Sequence, residues 1–181
     1  MEILSMTPAN TLIHKTCLLL LSLILLFSSL AARADELTEL GNRLAIAEML
    51  TQYSYRWDGK ASKSFSELFT EDGSMERWTD NVVVPDSEVV GRAAIYAYAL
   101  QAHGGRLADR QSRHHFSALV FLELTENLAI TENMALITHQ TVDDLAPVIR
   151  SSGIYRNTWV KTKVGWRIKK RILIIDQGPS N

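Results

Sequence analysis

The sequence predicts an α+β domain, with three helices gathered on one face of a curved antiparallel sheet. Three observations carry this. Apolar residues recur every three to four positions through residues 36–57 and again through 87–103. From Arg113 onward the period changes to that of strands. The strand-like segments are long and joined by short turns, which antiparallel neighbours permit.

The first 34 residues read as an address. Thr16 to Leu30 is an almost unbroken apolar run, followed by Ala31-Ala32-Arg33-Ala34. Small residues at Ala32 and Ala34 fit a signal peptidase, so cleavage is expected after Ala34, with a secreted or periplasmic product. The alternative is an uncleaved membrane anchor, but the run is shorter than the ~20 residues a spanning helix needs. Cys17, the single cysteine, lies inside this segment. The mature chain therefore has no disulfide, thiol nucleophile or cysteine-based zinc site.

Residues 35–181 are expected to form one domain around one core. They carry 17 basic and 19 acidic residues. Near-neutral charge argues against nucleic acid as the partner. No membrane contact is expected once the signal is removed.

Asp35 is expected to cap a helix over about residues 36–57, since its carboxylate can accept from the free amides of the first turn. Leu40, Leu44, Ala47 and Leu50 draw its apolar stripe, and Gly41 is a weak point. Asp58-Gly59 stops it. Lys60 to Ser64 reads as a polar turn, and Phe65, Leu68 and Phe69 as a short second helix. Glu71-Asp72-Gly73 reads as a turn before a strand over 74–78. Val82-Val83-Val84 is a second short run, stopped by Pro85. The third helix is expected over about 87–103, ended by Gly104-Gly105. His103 would then sit beside its terminal carbonyls as a favourable charge. One strand is expected over 114–124 and a long one over 128–142. A hairpin of 151–161 and 166–175 would close near Lys163-Val164-Gly165. Lys169-Lys170-Arg171 reads as a solvated strand face.

The end of the first helix turns aromatic and acidic, with Tyr53, Tyr55, Trp57 and Asp58. Strand alternation puts His114 and His115 on opposite faces, so only one can enter a cavity between sheet and helices. With His115 inward, Ser117, Leu119 and Phe121 accompany it, and His114 is outward or structural. His139 shares a face with Ile137, Ala135 and Asn133, and Tyr155 with Gly153, Asn157 and Trp159. Each set mixes apolar and polar groups, as a ligand pocket does and a closed core does not. Taken alone, a histidine such as His115 is more often a hydrogen-bonded core residue than a catalyst. Asp58, His115 and His139 could in principle ligate a metal, but their spacing has no metal signature.

In order along the chain come Arg43-Leu44-Ala45-Ile46, Tyr53 followed five residues later by Asp58, and Leu68-Phe69-Thr70-Glu71-Asp72-Gly73. Arg113-His114-His115, Thr138-His139, Tyr155 and Gly165-Trp166-Arg167-Ile168 follow. In this order the chain resembles the SnoaL-like branch of the nuclear transport factor 2-like superfamily, over nearly all of residues 36–175. The resemblance implies a cone-shaped α+β barrel with a pocket between the curved sheet and the long first helix. Its site pattern is similar to scytalone dehydratase and bile acid 7α-dehydratase. By that resemblance Tyr53, Asp58, His115 and His139 are the catalytic candidates. Tyr155, Trp57, Phe121 and Asn157 are candidates for substrate contact. Tyr155 stands where scytalone dehydratase has an asparagine, and the loop after Asp58 lacks the usual second acid and tryptophan.

The chemistry such residues can support is elimination of water β to a carbonyl. It needs a base, an acid for the leaving hydroxyl and a donor to the carbonyl oxygen. An aspartate beside the histidine is expected to raise its pKa and fix its tautomer. The expected activity is therefore a lyase or isomerase without a cofactor, acting on a small hydrophobic cyclic or polyketide- or steroid-like hydroxy-carbonyl compound. The alternatives are an exported small-molecule binder without turnover, and a domain that pairs as a homodimer through its sheet.

Overall fold

A computed structural model describes residues 8–177. The chain divides at Gly41 into two compact units, residues 1–41 and 42–181. The described part of the first unit is wholly helical and belongs to α1, Pro8–Asp58. Leu26, Leu30, Leu37 and Leu40 are exposed on it. Among the described residues no helix is long and apolar enough to cross a membrane.

The expected helix start at Asp35 is corrected, because in the full chain α1 runs straight through that position. The leucines and alanines before it are good helix formers and continue the turn. Thr38 Oγ1 already donates to the Ala34 carbonyl at 2.8 Å. The end is as expected: α1 stops at Asp58, and the Gly59 amide donates to the Tyr55 carbonyl at 2.9 Å.

The second unit holds the sheet. Its elements after α1 are α2 (Ser62–Ser66), β1 (Phe69–Thr79), β2 (Val82–Val83), β3 (Val89–Val90) and α3 (Arg92–Gly104). There follow β4 (Gln111–Phe116), β5 (Val120–Leu124), β6 (Leu128–Gln140), β7 (Val148–Thr162) and β8 (Gly165–Ile175). The strand order is β2-β1-β8-β7-β6-β4, with β3 on β1 and β5 on β6. The sheet is mixed, because β1 runs parallel to β8 while the other pairs are antiparallel. It curls as a half-barrel against the helices, the α+β arrangement the sequence predicts.

Several boundaries differ from expectation. The polar turn after Gly59 is shorter, and α2 begins at Ser62. Glu71-Asp72-Gly73 lies inside β1, where the register to β8 shifts between Phe69 and Ser74. Val89-Val90 forms an edge strand on β1, so α3 starts only at Arg92 behind Gly91, whose φ of 89° suits glycine. The single strand expected over 114–124 is two strands, broken at residues 117–119.

The core stripe of α1 is also rotated from the expected one. Ile46, Leu50, Tyr53 and Trp57 are buried, spaced by four, three and four. Leu44 is 63 % exposed and Ala47 is exposed beside it. Both stripes have helical spacing, and packing selects the one that carries the aromatic residues. Phe65 bridges Tyr53 and Trp57 edge-on, at ring centroid distances of 4.9 Å to each. Below them Trp159 is fully buried and donates its Nε1–H to Thr131 Oγ1 at 2.8 Å.

Candidate functional site

A cavity of about 630 Å³ opens between the last turns of α1, the helix α3 and the inner face of the sheet. Tyr53 and Trp57 from α1 line it, with Tyr98 from α3 and His114, His139, Tyr155 and Arg171 from the sheet. Strand pairing explains the convergence. Ser112 lies opposite His139, His114 opposite Ile137, and Ile137 opposite Ser151. Residues opposite each other share a face, so these side chains all point inward.

The centre of the site is a carboxylate–imidazole pair. Asp58 Oδ1 lies 2.8 Å from His114 Nδ1, and both side chains are buried. The same carboxylate accepts from Ser112 Oγ at 2.8 Å and from the His114 backbone amide at 2.9 Å. The Asp58 carbonyl accepts from Gln111 Nε2 at 2.9 Å. The end of α1 is thus tied to β4 by four hydrogen bonds, so the helix terminus and the strand fix each other's position.

This corrects the expectation for the two adjacent histidines. His114 is in the cavity, whereas His115 is exposed on the outer face, with Nε2 3.2 Å from Thr138 Oγ1. The constellation Asp58, His115 and His139 therefore does not converge, and His114 takes the inward place. The cause is the break after β4. Phe116 and Phe121 both pack on the core although their spacing is odd, because residues 117–119 reset the alternation.

The other candidates divide. Tyr53, Trp57, His139 and Tyr155 line the cavity. Asp58 stands behind His114 rather than on the cavity wall. Phe121 packs on the core with the Arg43 guanidinium 4.6 Å above its ring, and Asn157 is fully buried; neither lines the cavity. His103 is no terminal charge. It is buried with Nδ1 2.7 Å from Ser62 Oγ, and burial holds its pKa down.

Arg171 was legible only as part of a solvated basic run, and the structure overturns that. It is 2 % exposed, with its guanidinium carbon 3.4 Å from the Tyr53 ring centre and 3.5 Å from that of Tyr155. Stacking between two aromatic faces compensates part of the cost of burying the cation. An extra residue in β8 turns it inward: Trp159 pairs with Ile168 but Thr158 with Lys170. Counting alternate residues from Ile168 would have put Arg171 outside.

Electrostatics set the protonation states. Burial pushes the Asp58 carboxyl up, but the hydrogen bonds and charge of His114, with Ser112, hold it below the usual carboxylate range. Burial pushes His114 below the usual imidazole value, and the Arg171 charge adds to this; the Asp58 contact opposes both without reversing them. The net direction is therefore down, not up as the sequence alone suggests. In the neutral ring the proton belongs on Nδ1, where the carboxylate accepts it, and Nε2 keeps its lone pair. Burial raises the Tyr53 and Tyr155 hydroxyls, against the charge of Arg171, so both stay protonated donors. Burial lowers His139, helped by the charges of Arg110, Arg150 and Arg106.

These directions give a testable pH dependence of stability. Groups with folded pKa values below their unfolded ones contribute stability above the unfolded value and lose it as pH falls toward the folded one. For His114, His103 and His139 that loss begins below about 6.5, and for Asp58 below its ordinary 3.8. The melting temperature is expected to fall steadily from pH 7 to pH 5. His114→Gln is expected to flatten that slope, as read by calorimetry across the range. An unchanged slope in the variant would show that His114 is not buried in its neutral form.

Among the described residues no group of three or more histidine, cysteine or carboxylate side chains is placed to hold a metal ion.

Solved structures match this architecture. One is a protein of the nuclear transport factor 2-like class with a cystatin-like fold from Novosphingobium aromaticivorans, 24 % identical, with a TM-score of 0.69. It covers 81 % of this chain and 90 % of its own. A candidate scytalone dehydratase from the same organism is 25 % identical with a TM-score of 0.63, over 77 % of this chain and 87 % of its own. A Mycobacterium tuberculosis protein of unknown function is 26 % identical with a TM-score of 0.62, over 75 % and 72 %. No curated protein matches. The family model described as the SnoaL-like domain matches residues 38–172, from the exposed part of α1 through Arg171 and its neighbour in β8. The chain thus belongs to the SnoaL-like domain family, within the fold class of nuclear transport factor 2.

Proposed function

We propose that the protein is an acid–base lyase or isomerase that needs no cofactor and acts on a small hydrophobic hydroxy-carbonyl compound. The SnoaL-like family includes polyketide cyclases and dehydratases. The observation that carries the reading is the Asp58–His114 pair, 2.8 Å apart, with the imidazole on the wall of a cavity that Tyr53, Trp57, Tyr98 and Tyr155 also line. His114 Nε2 takes a proton from the carbon α to the substrate carbonyl. The electron pair moves to the carbonyl oxygen as an enolate, which Tyr53 stabilises by donating its hydroxyl hydrogen. The Arg171 charge against the Tyr53 ring favours the same negative charge. Collapse of the enolate expels the β-hydroxyl, which takes the proton back from His114 and leaves as water. Asp58 is a positioning residue: it fixes the tautomer and stabilises the transient imidazolium.

The test is a turnover screen on cyclic hydroxy-ketones, followed by the ultraviolet rise of a conjugated enone. Turnover is expected for the native chain and is expected to vanish in His114→Ala. Saturable binding without turnover in the native chain would reduce the protein to a binder.

We also propose export with cleavage after Ala34, supported by the Thr16–Leu30 run and the small residues at Ala32 and Ala34. Pairing of two copies through the sheet is supported by Met134 and Leu136, exposed on its outer face. Native mass spectrometry of the protein recovered from outside the cytoplasm tests both. The expected species begins at Asp35 and has twice the monomer mass.

A further inference from the structure

The lining of the cavity is unevenly charged. Arg77, Arg106, Arg150 and Arg171 contribute to it, against Glu76 and Asp86. Glu76 is buried with its Oε1 2.5 Å from Lys170 Nζ, so its charge is already neutralised. Asp58, behind His114, has both oxygens occupied. Arg106 and Arg150 form no ion pair among the described residues, and Arg106 is held at the wall by Tyr98, whose hydroxyl accepts from Nη2 at 3.4 Å. Arg110 is paired with Asp109 at 2.8 Å, and Asp144, which feels the charge of Arg150, has its carboxylate engaged by the amide and hydroxyl of Thr141.

Arg171 gives an independent pointer. It lines the cavity while 2 % exposed, Nη1 reaches Asn157 Oδ1 only at 3.5 Å, and Nε and Nη2 have no hydrogen-bond partner among the described residues. Those two atoms form one edge of the guanidinium, the fork that grips a carboxylate through two parallel hydrogen bonds. A buried cation with that edge unpaired is costly unless an anion approaches it. A neutral ligand would leave Arg106, Arg150 and the open edge of Arg171 without an anion and would gain no charge-assisted hydrogen bond from them.

We propose that the ligand of this cavity carries a carboxylate, held by Arg106, Arg150 and Arg171 while its ring lies against Tyr53, Trp57 and Tyr98. The inference rests on the reading of this cavity as a ligand site, and not on turnover. The substrate class narrows accordingly to hydroxy-carbonyl compounds that are also acids. Arg106 and Arg150 select the charge, and Arg171 sets where along the tyrosine wall the carboxylate sits.

The experiment uses a matched pair of probes, 2-naphthoate and the uncharged 2-naphthamide, titrated into the full chain by calorimetry and by quenching of tryptophan fluorescence. The acid is expected to bind about ten- to a hundredfold more tightly, as charge-assisted hydrogen bonds dictate. The preference is expected to shrink as salt rises from about 0.02 M to about 0.5 M. It is also expected to collapse toward unity in the double variant Arg106→Gln, Arg150→Gln, both of which sit at exposed positions and leave the core untouched. Equal or tighter binding of the amide, a preference that survives in the double variant, or no saturable binding of either probe would each overturn the inference. Acid preference in a protein that turns over no hydroxy-ketone, carboxylated ones included, would sustain this inference and defeat the lyase reading. Turnover of neutral ketones with no acid preference would do the reverse.

Discussion

His114→Ala is expected to lower kcat/KM by about a hundred- to ten-thousandfold, while His115→Ala leaves it within about twofold. The two residues are chain neighbours of the same chemistry, so the comparison isolates which face each occupies. The first variant removes the imidazole tied to Asp58, and with it the base and the returning acid. The second removes a hydrogen bond to Thr138 on the exposed face. The pH profile separates catalysis from mere packing. Because burial holds His114 below 6.5, the acid limb of kcat/KM is expected to lie below that value. If His115→Ala instead abolishes turnover, the inner face of β4 is not the reacting face and the proposed mechanism fails.

Asp58→Ala is expected to cost on the order of 3–5 kcal/mol of stability, or a fall of about 10–20 °C in Tm. The carboxylate is buried and accepts from Ser112 Oγ, the His114 amide and His114 Nδ1. Alanine leaves all three donors without their acceptor, and each contributes a desolvation penalty to the extent that it is buried. It also releases the last turn of α1 from β4, which the remaining Gln111 bond cannot hold alone. Asp58→Asn restores the shape and one acceptor, so its Tm is expected to recover at least half of the loss. Its activity is expected to stay low, since an amide neither fixes the Nδ1 proton nor stabilises an imidazolium. Recovery of both Tm and activity in Asp58→Asn would show that the carboxylate charge has no part in the chemistry.

The sequence carried more of the fold than of the site. Helix and strand periods, the stop at Asp58-Gly59 and the late hairpin were legible because each depends on local spacing and turn chemistry. The parallel pairing of β1 with β8 was not, since Phe69 and Ile168 are far apart in the chain and nothing local brings them together. The stripe of α1 was ambiguous for a related reason. Leu40 and Leu44 are as apolar as Ile46 and Leu50 and Ala47 continues their row, and only the partners in the sheet and α2 decide which row is covered.

What the residues determined by themselves was the inventory of the site. Tyr53 and Asp58 are placed by the helix that carries them, and His139 and Tyr155 by uninterrupted stretches of β6 and β7. What only the tertiary structure decided was parity. A strand's faces alternate with a period of two, so one irregular residue exchanges inside and outside for everything beyond it. The interruption at 117–119 puts His114 rather than His115 against Asp58. The extra residue between Ile168 and Lys170 brings Arg171 between Tyr53 and Tyr155. Both irregularities are satisfied by pairing with a neighbouring strand, and a hydrogen-bond ladder between distant segments is something no stretch of sequence contains on its own.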